Sequence, residues 1–305
     1  MSAARRGWRR AFCAVATASA GVLLLGTLAP ATAAPSFLYG EPLHGKERAY
    51  DQAIADDIAA NNHTMGSQIA RVEGDKSTPE TIAAAQQPQN VAGPDGIGIQ
   101  ATVAGIDVAS YQGNVNWASY YSQGKRFVWA KTTEGTGYTN PYFAQQYNGS
   151  YNAGFIRGAY HFALPNNSGG VAQANYFVDH GGGWSRDGKT LPGALDMEYN
   201  PYGATCYGLS QASMAAWVRA FHDQYHARTG RWPVIYTSTS WWNQCVGSAQ
   251  TFGSTVPLWV ARYASSVGAL PTGWGFHTVW QYTSSPLDQD TFNGAYDRLQ
   301  ALANG

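Results

Sequence analysis

Two carboxylates stand two residues apart in the stretch LPGALDMEYNP, at Asp196 and Glu198. Side chains alternate between the two faces of a β-strand, so residues i and i+2 share a face. If this stretch is a strand, the two acids project side by side and each opposes ionisation of the other. The alternative is a pair of solvated acids at a strand end. Crowded acids with separated pKa values suit glycoside hydrolysis, in which one carboxyl donates a proton and another group stabilises the oxocarbenium-like state or orients the substrate's acetamide.

Other acids also follow apolar runs. Asp107 closes the run in GIDVASYQG, and Asp288 lies in PLDQDTFNG, just past the last predicted strand. Functional residues of barrel enzymes lie at the C-terminal ends of strands. We therefore predict that Asp107, Asp196, Glu198 and Asp288 converge on one barrel mouth, with Glu198 as the general acid. Glu134, in AKTTEGTGY, is more simply explained as a helix cap or an ion-pair partner.

Other kinds of catalytic site have less support. A catalytic zinc ion usually requires histidine among its ligands. His222 and His226 lie four residues apart but lack the glutamate of a zincin motif, and no Gly-x-Ser-x-Gly elbow is found. We predict no metal and no cofactor. His161, at the end of the third predicted strand, either binds substrate or is a core histidine.

The acids need a scaffold of strands and helices. Short apolar runs predict strands at Val103–Val108, Phe127–Thr132, Ile156–Phe162, Gly193–Glu198, Val234–Thr237, Leu258–Ala261 and Val279–Tyr282. Helices are predicted at Tyr138–Asn152, Gly170–Asp179, Ser210–Thr229 and Ala295–Leu302. Seven or eight strands over roughly 200 residues favour a closed barrel over an open sheet. The predicted fold is α/β, an irregular TIM-like barrel of eight strands with few helices in its later part.

The chain before residue 103 has a different composition. Four arginines, an apolar stretch and the sequence Ala31-Thr32-Ala33 predict a signal peptide over residues 1–33, and hence a secreted protein. Residues 34–102 are predicted to be a spacer or pro-segment, partly disordered, with one possible helix at Arg48–Asn61 and a linker from Thr78 to Ile99. Residues 103–305 form the predicted catalytic barrel.

The charge, the cysteines and the aromatic residues limit the classes of molecule that the protein is expected to bind and the compartment in which it is expected to work. Without the four leader arginines the chain has 15 basic and 19 acidic residues, a formal charge of −4, which argues against nucleic-acid binding by bulk charge. No later stretch is apolar enough to span a membrane, and we expect a monomer.

Cys13 leaves with the leader, and the two remaining cysteines of an exported protein are expected to pair. Eleven Trp and nineteen Tyr residues are many, and although most fill the core, some could stack on sugars.

The sequence resembles the Chalaropsis-type lysozymes, glycoside hydrolase family 25. The segments that carry the resemblance are GIDVASYQGNVNW, AKTTEGTGY, NAGFIRGAYHFALP, GGGWSRDGKTLPGALDMEYNP, CYGLS, VIYTSTSWWNQC and VWQYT. The resemblance implies hydrolysis of the β-1,4 bond between N-acetylmuramic acid and N-acetylglucosamine in bacterial peptidoglycan. It places the proton donor at Glu198, acids that face the other side of the sugar or its acetamide at Asp107 and Asp196, and a supporting acid at Asp288. It also implies a Cys206–Cys245 disulfide. The expected substrate-binding residues are Tyr111, Tyr160, His161, Tyr236, Trp259, Tyr263 and Gln281.

The sequence departs from the family pattern at a few places. Asp290 stands where the family usually has asparagine, Ser110-Tyr111 replaces a common His-Trp or His-Tyr pair, and residues 34–100 have no counterpart. Two alternatives stay open: a glycosidase acting on another N-acetylated glycan such as chitin, and a non-catalytic wall-binding module. The four intact acids argue against the binding module.

Overall fold

The computed structural model describes residues 64–86 and 101–305, together with the backbone of two short strands at 89–93 and 96–100. The predicted signal peptide and the predicted helix Arg48–Asn61 lie outside the described residues. The strands are β1 (Gln89–Gly93), β2 (Gly96–Gln100), β3 (Val103–Val108), β4 (Phe127–Glu134), β5 (Tyr138–Thr139), β6 (Ile156–Phe162), β7 (Ala194–Asp196), β8 (Val234–Ser238), β9 (Leu258–Ala261), β10 (Val279–Thr283) and β11 (Gln289–Phe292). The helices are α1 (Ser67–Glu73), α2 (Pro79–Gln86), α3 (Trp117–Ser122), α4 (Phe143–Asn152), α5 (Gly170–Phe177), α6 (Gln211–Thr229), α7 (Thr239–Cys245) and α8 (Tyr296–Asn304).

Eight strands close into a barrel in the order β3, β4, β6, β7, β8, β9, β10 and β11, with β11 returning to β3. Neighbouring strands from β3 to β10 pair in parallel, and β11 is antiparallel to both β10 and β3. The predicted eight-stranded irregular barrel is therefore confirmed. Its last strand was not predicted as a strand. It must reverse direction because the short connection from β10 leaves no room for the crossover of a dozen or more residues that a parallel pair needs.

The predicted helix over Tyr138–Asn152 begins later than expected. Tyr138 and Thr139 form β5, which pairs antiparallel with the end of β4, and α4 starts only at Phe143. Pro141 disfavours helical geometry at the residue before it, which separates the strand from the helix. The other predicted helices are found with small shifts at their ends.

The stretch Thr78–Ile99, predicted as a linker, contains short regular elements. Pro79 begins α2, a position where its missing N–H costs no helical hydrogen bond. β1 and β2 then form an antiparallel hairpin in which Gly93 pairs with Gly96. The proline- and glycine-rich composition marks the ends of short elements here.

Large side chains fill the interior of the barrel. The Trp129 and Trp259 rings lie 4.7 Å apart and both are buried. Gly158 makes room for them, since a Cβ there would overlap the Trp129 indole. The barrel is thus a packed core, and ligands must bind at its rim.

The longest helix, α6, lies outside the barrel and packs on α5. The Ser210 hydroxyl caps it by accepting from the Ser213 amide, and Gly230 ends it at a φ of 70°. A disulfide joins Cys206, after β7, to Cys245 at the end of α7, which confirms the predicted pairing. Among the described residues, no helix has both the length and the apolar character needed to cross a membrane.

Candidate active site

Four acids meet at one rim of the barrel. Asp107 lies near the C-terminal end of β3, Asp196 ends β7, and Glu198 follows two residues later. Asp288 comes just before β11, and because that strand is antiparallel its start lies at the rim where the parallel strands end. All four side chains are buried, at 1%, 0%, 1% and 2% exposure respectively. The structure thus brings together the four acids predicted from the sequence.

Burial shifts these acids toward their neutral forms. Burial raises the pKa of Glu198 to about 8, although the Gly66 N–H and the Lys131 charge oppose the shift. It raises the pKa of Asp107 to about 7, against a hydrogen bond from Gln281 that lowers it. The pKa of Asp196 rises well above its ordinary value because of burial and the adjacent Glu198 carboxyl. The site therefore holds a protonated carboxyl near neutral pH, as a general acid requires.

Several carboxyl oxygens have no hydrogen-bond partner within the described part of the chain. They are Oδ1 of Asp107, both oxygens of Asp196, Oε2 of Glu198 and Oδ1 of Asp288. Buried polar atoms are normally satisfied, and exceptions often mark a functional site. The free oxygens give the rim several acceptors, or donors when protonated, for a bound substrate.

A hydrogen-bonded network of tyrosine and glutamine supports Asp107. Tyr236 and Tyr263 both donate their hydroxyls to Gln281 Oε1, over 2.6 and 2.8 Å. Gln281 Nε2 in turn donates to Asp107 Oδ2 over 2.7 Å. The Tyr160 hydroxyl is buried without a partner among the described residues, and the four acids help to raise its pKa well above the ordinary value. Tyr160, Tyr236, Tyr263 and Gln281 therefore lie where the sequence analysis placed them, beside the acids.

Tyr111 occupies a different environment. It lies on the short turn Ser110–Gln112 that follows β3, and 49% of its surface is exposed. The ring is therefore open to solvent on the turn that follows the strand of Asp107.

The structure gives Trp259 a packing role in place of the predicted substrate contact. Its fully buried ring packs against Trp129 and lies 5.1 Å from the Tyr236 ring. Its Nε1 donates to Asp290 Oδ1 over 2.9 Å. Trp259 is therefore packed among Trp129, Tyr236 and Asp290 in the barrel interior.

His161 also differs from the substrate-binding prediction. Its Nδ1 lies 2.8 Å from Thr133 Oγ1, its Nε2 lies 2.9 Å from Gln173 Oε1, and its ring stacks on Phe221. The preceding residue, Tyr160, faces the barrel interior, so strand alternation turns His161 outward to the helices. Burial lowers its pKa to about 4, so it is a neutral core histidine.

Two features were not predicted as parts of the site. Lys131 Nζ and Glu134 Oε2 form a buried ion pair at 2.6 Å, and Tyr202 donates to Glu134 Oε1. The predicted ion-pair explanation for Glu134 holds, but the Lys131 charge also acts on the acids by lowering the pKa of Asp196. Asp290, noted only as a departure from the family, is buried, and both burial and Asp107 raise its pKa. The motif AKTTEGTGY was the only sequence signal for the ion pair.

The segment that precedes the barrel also reaches the acids. The Gly66 backbone N–H donates to Glu198 Oε1 over 2.6 Å, and the Tyr263 hydroxyl donates to the Gly66 carbonyl over 3.2 Å. Among the described residues, no group of three or more His, Cys, Asp or Glu side chains is arranged to hold a metal ion.

The C-terminal rim of this eight-stranded α/β barrel holds a cluster of buried, partly protonated carboxyls. Such a cluster has the groups that a glycoside hydrolase site requires. Residues 106–291 match the sequence profile described as glycosyl hydrolases family 25, a stretch that includes all four acids. The chain belongs to this family.

Relatives with known names agree with this membership. An N,O-diacetylmuramidase from Chalaropsis sp is 52% identical over 211 residues, which cover 67% of this chain and all of the relative. Lysozyme M1 from Streptomyces globisporus is 43% identical over 311 residues, covering 99% of this chain and 97% of the relative. The crystal structure of a lysozyme from Streptomyces coelicolor, 50% identical, superposes with a TM-score of 0.64 over 66% of this chain and 97% of its own.

Proposed function

We propose that this protein is a lysozyme that hydrolyses the β-1,4 bond between N-acetylmuramic acid and N-acetylglucosamine in bacterial peptidoglycan. The observation that carries the proposal is the buried Glu198 carboxyl, with a pKa raised to about 8, among three further buried acids. The names of the relatives, a diacetylmuramidase and two lysozymes, point to the same reaction. The chain keeps all four acids, which a wall-binding module would have no need to retain.

Glu198 is the proposed proton donor. Its protonated carboxyl transfers a proton to the glycosidic oxygen as the bond from that oxygen to the anomeric carbon breaks. The departing sugar leaves with a free hydroxyl, and positive charge develops on the ring that remains. A water molecule then supplies hydroxide to that ring, and its second proton restores the acid.

Asp107 and Asp196 are proposed to act on the ring that carries the developing charge. Both oxygens of Asp196 are free to accept from the substrate's acetamide or to face the anomeric carbon, and Asp107 is oriented by Gln281. Asp288 is proposed to support them as a buried neighbour. Tyr160, Tyr236 and Tyr263 line the same rim, and Tyr111 offers an open face to a neighbouring sugar.

The proposal extends to where the protein works. Residues 1–33 are proposed to direct export, residues 34–102 to be a pro-segment or spacer, and residues 103–305 to be the catalytic domain. The protein would then be extracellular, with peptidoglycan as its partner and a monomer as its working form.

Digestion of purified peptidoglycan tests the proposal. New reducing ends are reduced with borohydride and identified by mass spectrometry, and reduced muramic acid is the expected product. Reduced glucosamine would move the cut to the other linkage, and cleavage of chitin oligosaccharides in preference to peptidoglycan would favour the chitin alternative. Absence of new ends, even when residues 64–77 have been displaced from Glu198, would contradict any glycosidase.

Substitution of Glu198 tests the assignment of the acid. Glu198→Gln is expected to lower the rate by about 10²–10⁴-fold, the usual contribution of general acid catalysis. Glu80→Gln, on the exposed surface of α2, is the matched control and should keep the wild-type rate. A Glu198→Gln variant with most of the wild-type rate would contradict the assignment.

A further inference from the structure

Residues 64–77, here called the covering segment, lie against the rim that holds the catalytic acids. Met65 and Gly66 are buried, and Ile69, in α1, belongs to the main hydrophobic core. The family match begins only at residue 106, so this segment is not part of the conserved barrel. Its packing is nevertheless as close as that of a core element.

The segment contacts the catalytic machinery through its backbone. The Gly66 amide donates to the carboxyl of Glu198, the proposed proton donor, while the Gly66 carbonyl accepts from Tyr263. These two bonds occupy an oxygen of the acid and a hydroxyl of the Tyr–Gln network. A glycosidic oxygen that receives the proton of Glu198 must approach the same carboxyl, so the substrate and the Gly66 backbone compete for the space beside it.

The space around Gly66 leaves no room for a side chain. Its φ is 74°, a conformation that glycine adopts readily. A Cβ there would overlap the Tyr263 hydroxyl and would lie 2.5 Å from the Tyr236 hydroxyl and 2.7 Å from Gln281 Oε1. The backbone therefore sits directly on the residues that line the site.

Further bonds hold the segment along the rim. Glu73 Oε1 accepts from the Tyr199 and Ser238 hydroxyls, over 3.1 and 2.5 Å. The Lys76 amide donates to the Tyr263 carbonyl, and the Ser77 and Thr283 hydroxyls lie 3.0 Å apart. The anchors therefore reach β8, β10 and the loops after β7 and β9, so the segment spans the mouth of the barrel.

We propose that the covering segment is an intramolecular inhibitor, and that the full chain is a latent enzyme whose site opens when the segment is displaced or cut away. The proposal rests on the lysozyme function proposed above. The 1% exposure of Glu198 in the presence of the segment supports it, because a polysaccharide cannot reach a buried acid. A relative such as the Chalaropsis enzyme aligns over its whole length with only 67% of this chain, so the reaction does not require the remainder.

Two glycines of the full chain provide a matched test. Gly66→Ala and Gly230→Ala both place a methyl group on a left-handed backbone, at φ and ψ of 74° and 0° and of 70° and 9°, so their backbone strain is similar. A Cβ at Gly66 meets the site, whereas a Cβ at Gly230, outside the covering segment, has nothing within 4 Å. Gly66→Ala is therefore expected to raise the initial rate on peptidoglycan about tenfold or more, by raising the fraction of open sites, and Gly230→Ala should match the wild type.

Glu73→Ala is a second, independent substitution that should release the covering segment from the rim. It removes the acceptor for Tyr199 and Ser238 without touching the acids, and it is also expected to raise the rate. The inhibitor proposal would be contradicted if the wild type, Gly66→Ala and Glu73→Ala had equal rates. If adding Glu198→Gln to each protein abolished those rates, the lysozyme proposal would be retained.

Binding of tri-N-acetylchitotriose, measured by calorimetry, separates the two proposals. The inhibitor proposal predicts that Gly66→Ala and Glu73→Ala bind this probe about tenfold or more tightly than the wild type and Gly230→Ala, whether or not any variant hydrolyses peptidoglycan. Tighter binding by Gly66→Ala and Glu73→Ala without hydrolysis of peptidoglycan would contradict the lysozyme proposal and support the inhibitor proposal. Equal dissociation constants in all four proteins would reject the inhibitor.

Discussion

Gln281 donates a hydrogen bond from Nε2 to Oδ2 of Asp107 over 2.7 Å. The Tyr236 and Tyr263 hydroxyls both donate to Gln281 Oε1, and the amide nitrogen on the other side points to the acid. The bond favours the ionised form of Asp107 against the burial that raises its pKa to about 7. Gln281 therefore positions a catalytic carboxyl and tunes its charge.

Gln281→Leu should lower kcat by about ten- to a hundredfold, since a hydrogen bond to a charged group contributes about 1.5–3 kcal/mol. The pKa of Asp107 should rise with the loss of this bond, which would appear as a shift to higher pH in the ascending limb of the rate profile. Gln289→Leu is the control, because Gln289 bonds Lys125 and Tyr282 instead of the catalytic acids. An unchanged pH profile in Gln281→Leu would contradict the role.

The raised pKa of Glu198 predicts a specific dependence of stability on pH. Glu198 has a pKa near 8 in the folded protein and 4.5 as its ordinary value, so the folded state retains a proton that the unfolded state releases. The free energy of unfolding therefore falls from this source as pH rises from about 4.5 to about 8. Glu198→Gln lacks the titrating group, so it should gain stability relative to the wild type over this range.

Denaturant unfolding of both proteins at several pH values measures this difference. Glu80→Gln, at an exposed position, should not show the same trend relative to the wild type. A constant difference between the wild type and Glu198→Gln across the range would contradict a buried, protonated Glu198.

Asp290 is expected to tolerate replacement by asparagine. Burial and the nearby Asp107 raise its pKa well above the ordinary value, which favours the neutral carboxylic acid. Asparagine has nearly the same shape, and its Oδ1 can still accept from Trp259 Nε1. Asp290→Asn should therefore keep its melting temperature and kcat/KM, whereas Asp290→Leu should lose stability because it leaves the buried Trp259 N–H without an acceptor. Strong loss of activity in Asp290→Asn would show that the carboxyl ionises in the reaction.

His161 is expected to affect stability without affecting substrate binding. Its ring bonds Thr133 and Gln173 and packs on Phe221, outside the barrel interior. His161→Ala should lower the free energy of unfolding by about 2–4 kcal/mol through the cavity and the unpaired groups left behind. KM, measured at a temperature where the variant stays folded, should equal that of the wild type. A large rise in KM alone would restore the substrate-binding role.

Local patterns in the sequence determined much of the scaffold. The apolar runs that became β3, β6 and β9 have the predicted bounds, because buried strands are short, apolar and rich in β-branched residues. Asp107 and Asp196, near the C-terminal ends of β3 and β7, were identified because a parallel barrel places the C-terminal ends of its strands at one rim. The disulfide followed from the two cysteines that lie outside the predicted leader.

Only the tertiary structure decided which faces and partners these residues have. His161 and Trp259 lie at strand positions that suggested a cleft, but the direction of the side chain and the closure of the barrel place them in packed layers. The antiparallel direction of β11 brings Asp288 to the rim, and no local pattern specifies that direction. The bond between Gly66 and Glu198 joins residues 132 positions apart. Periodicity and spacing report on neighbours along the chain, whereas such a contact depends on the complete fold.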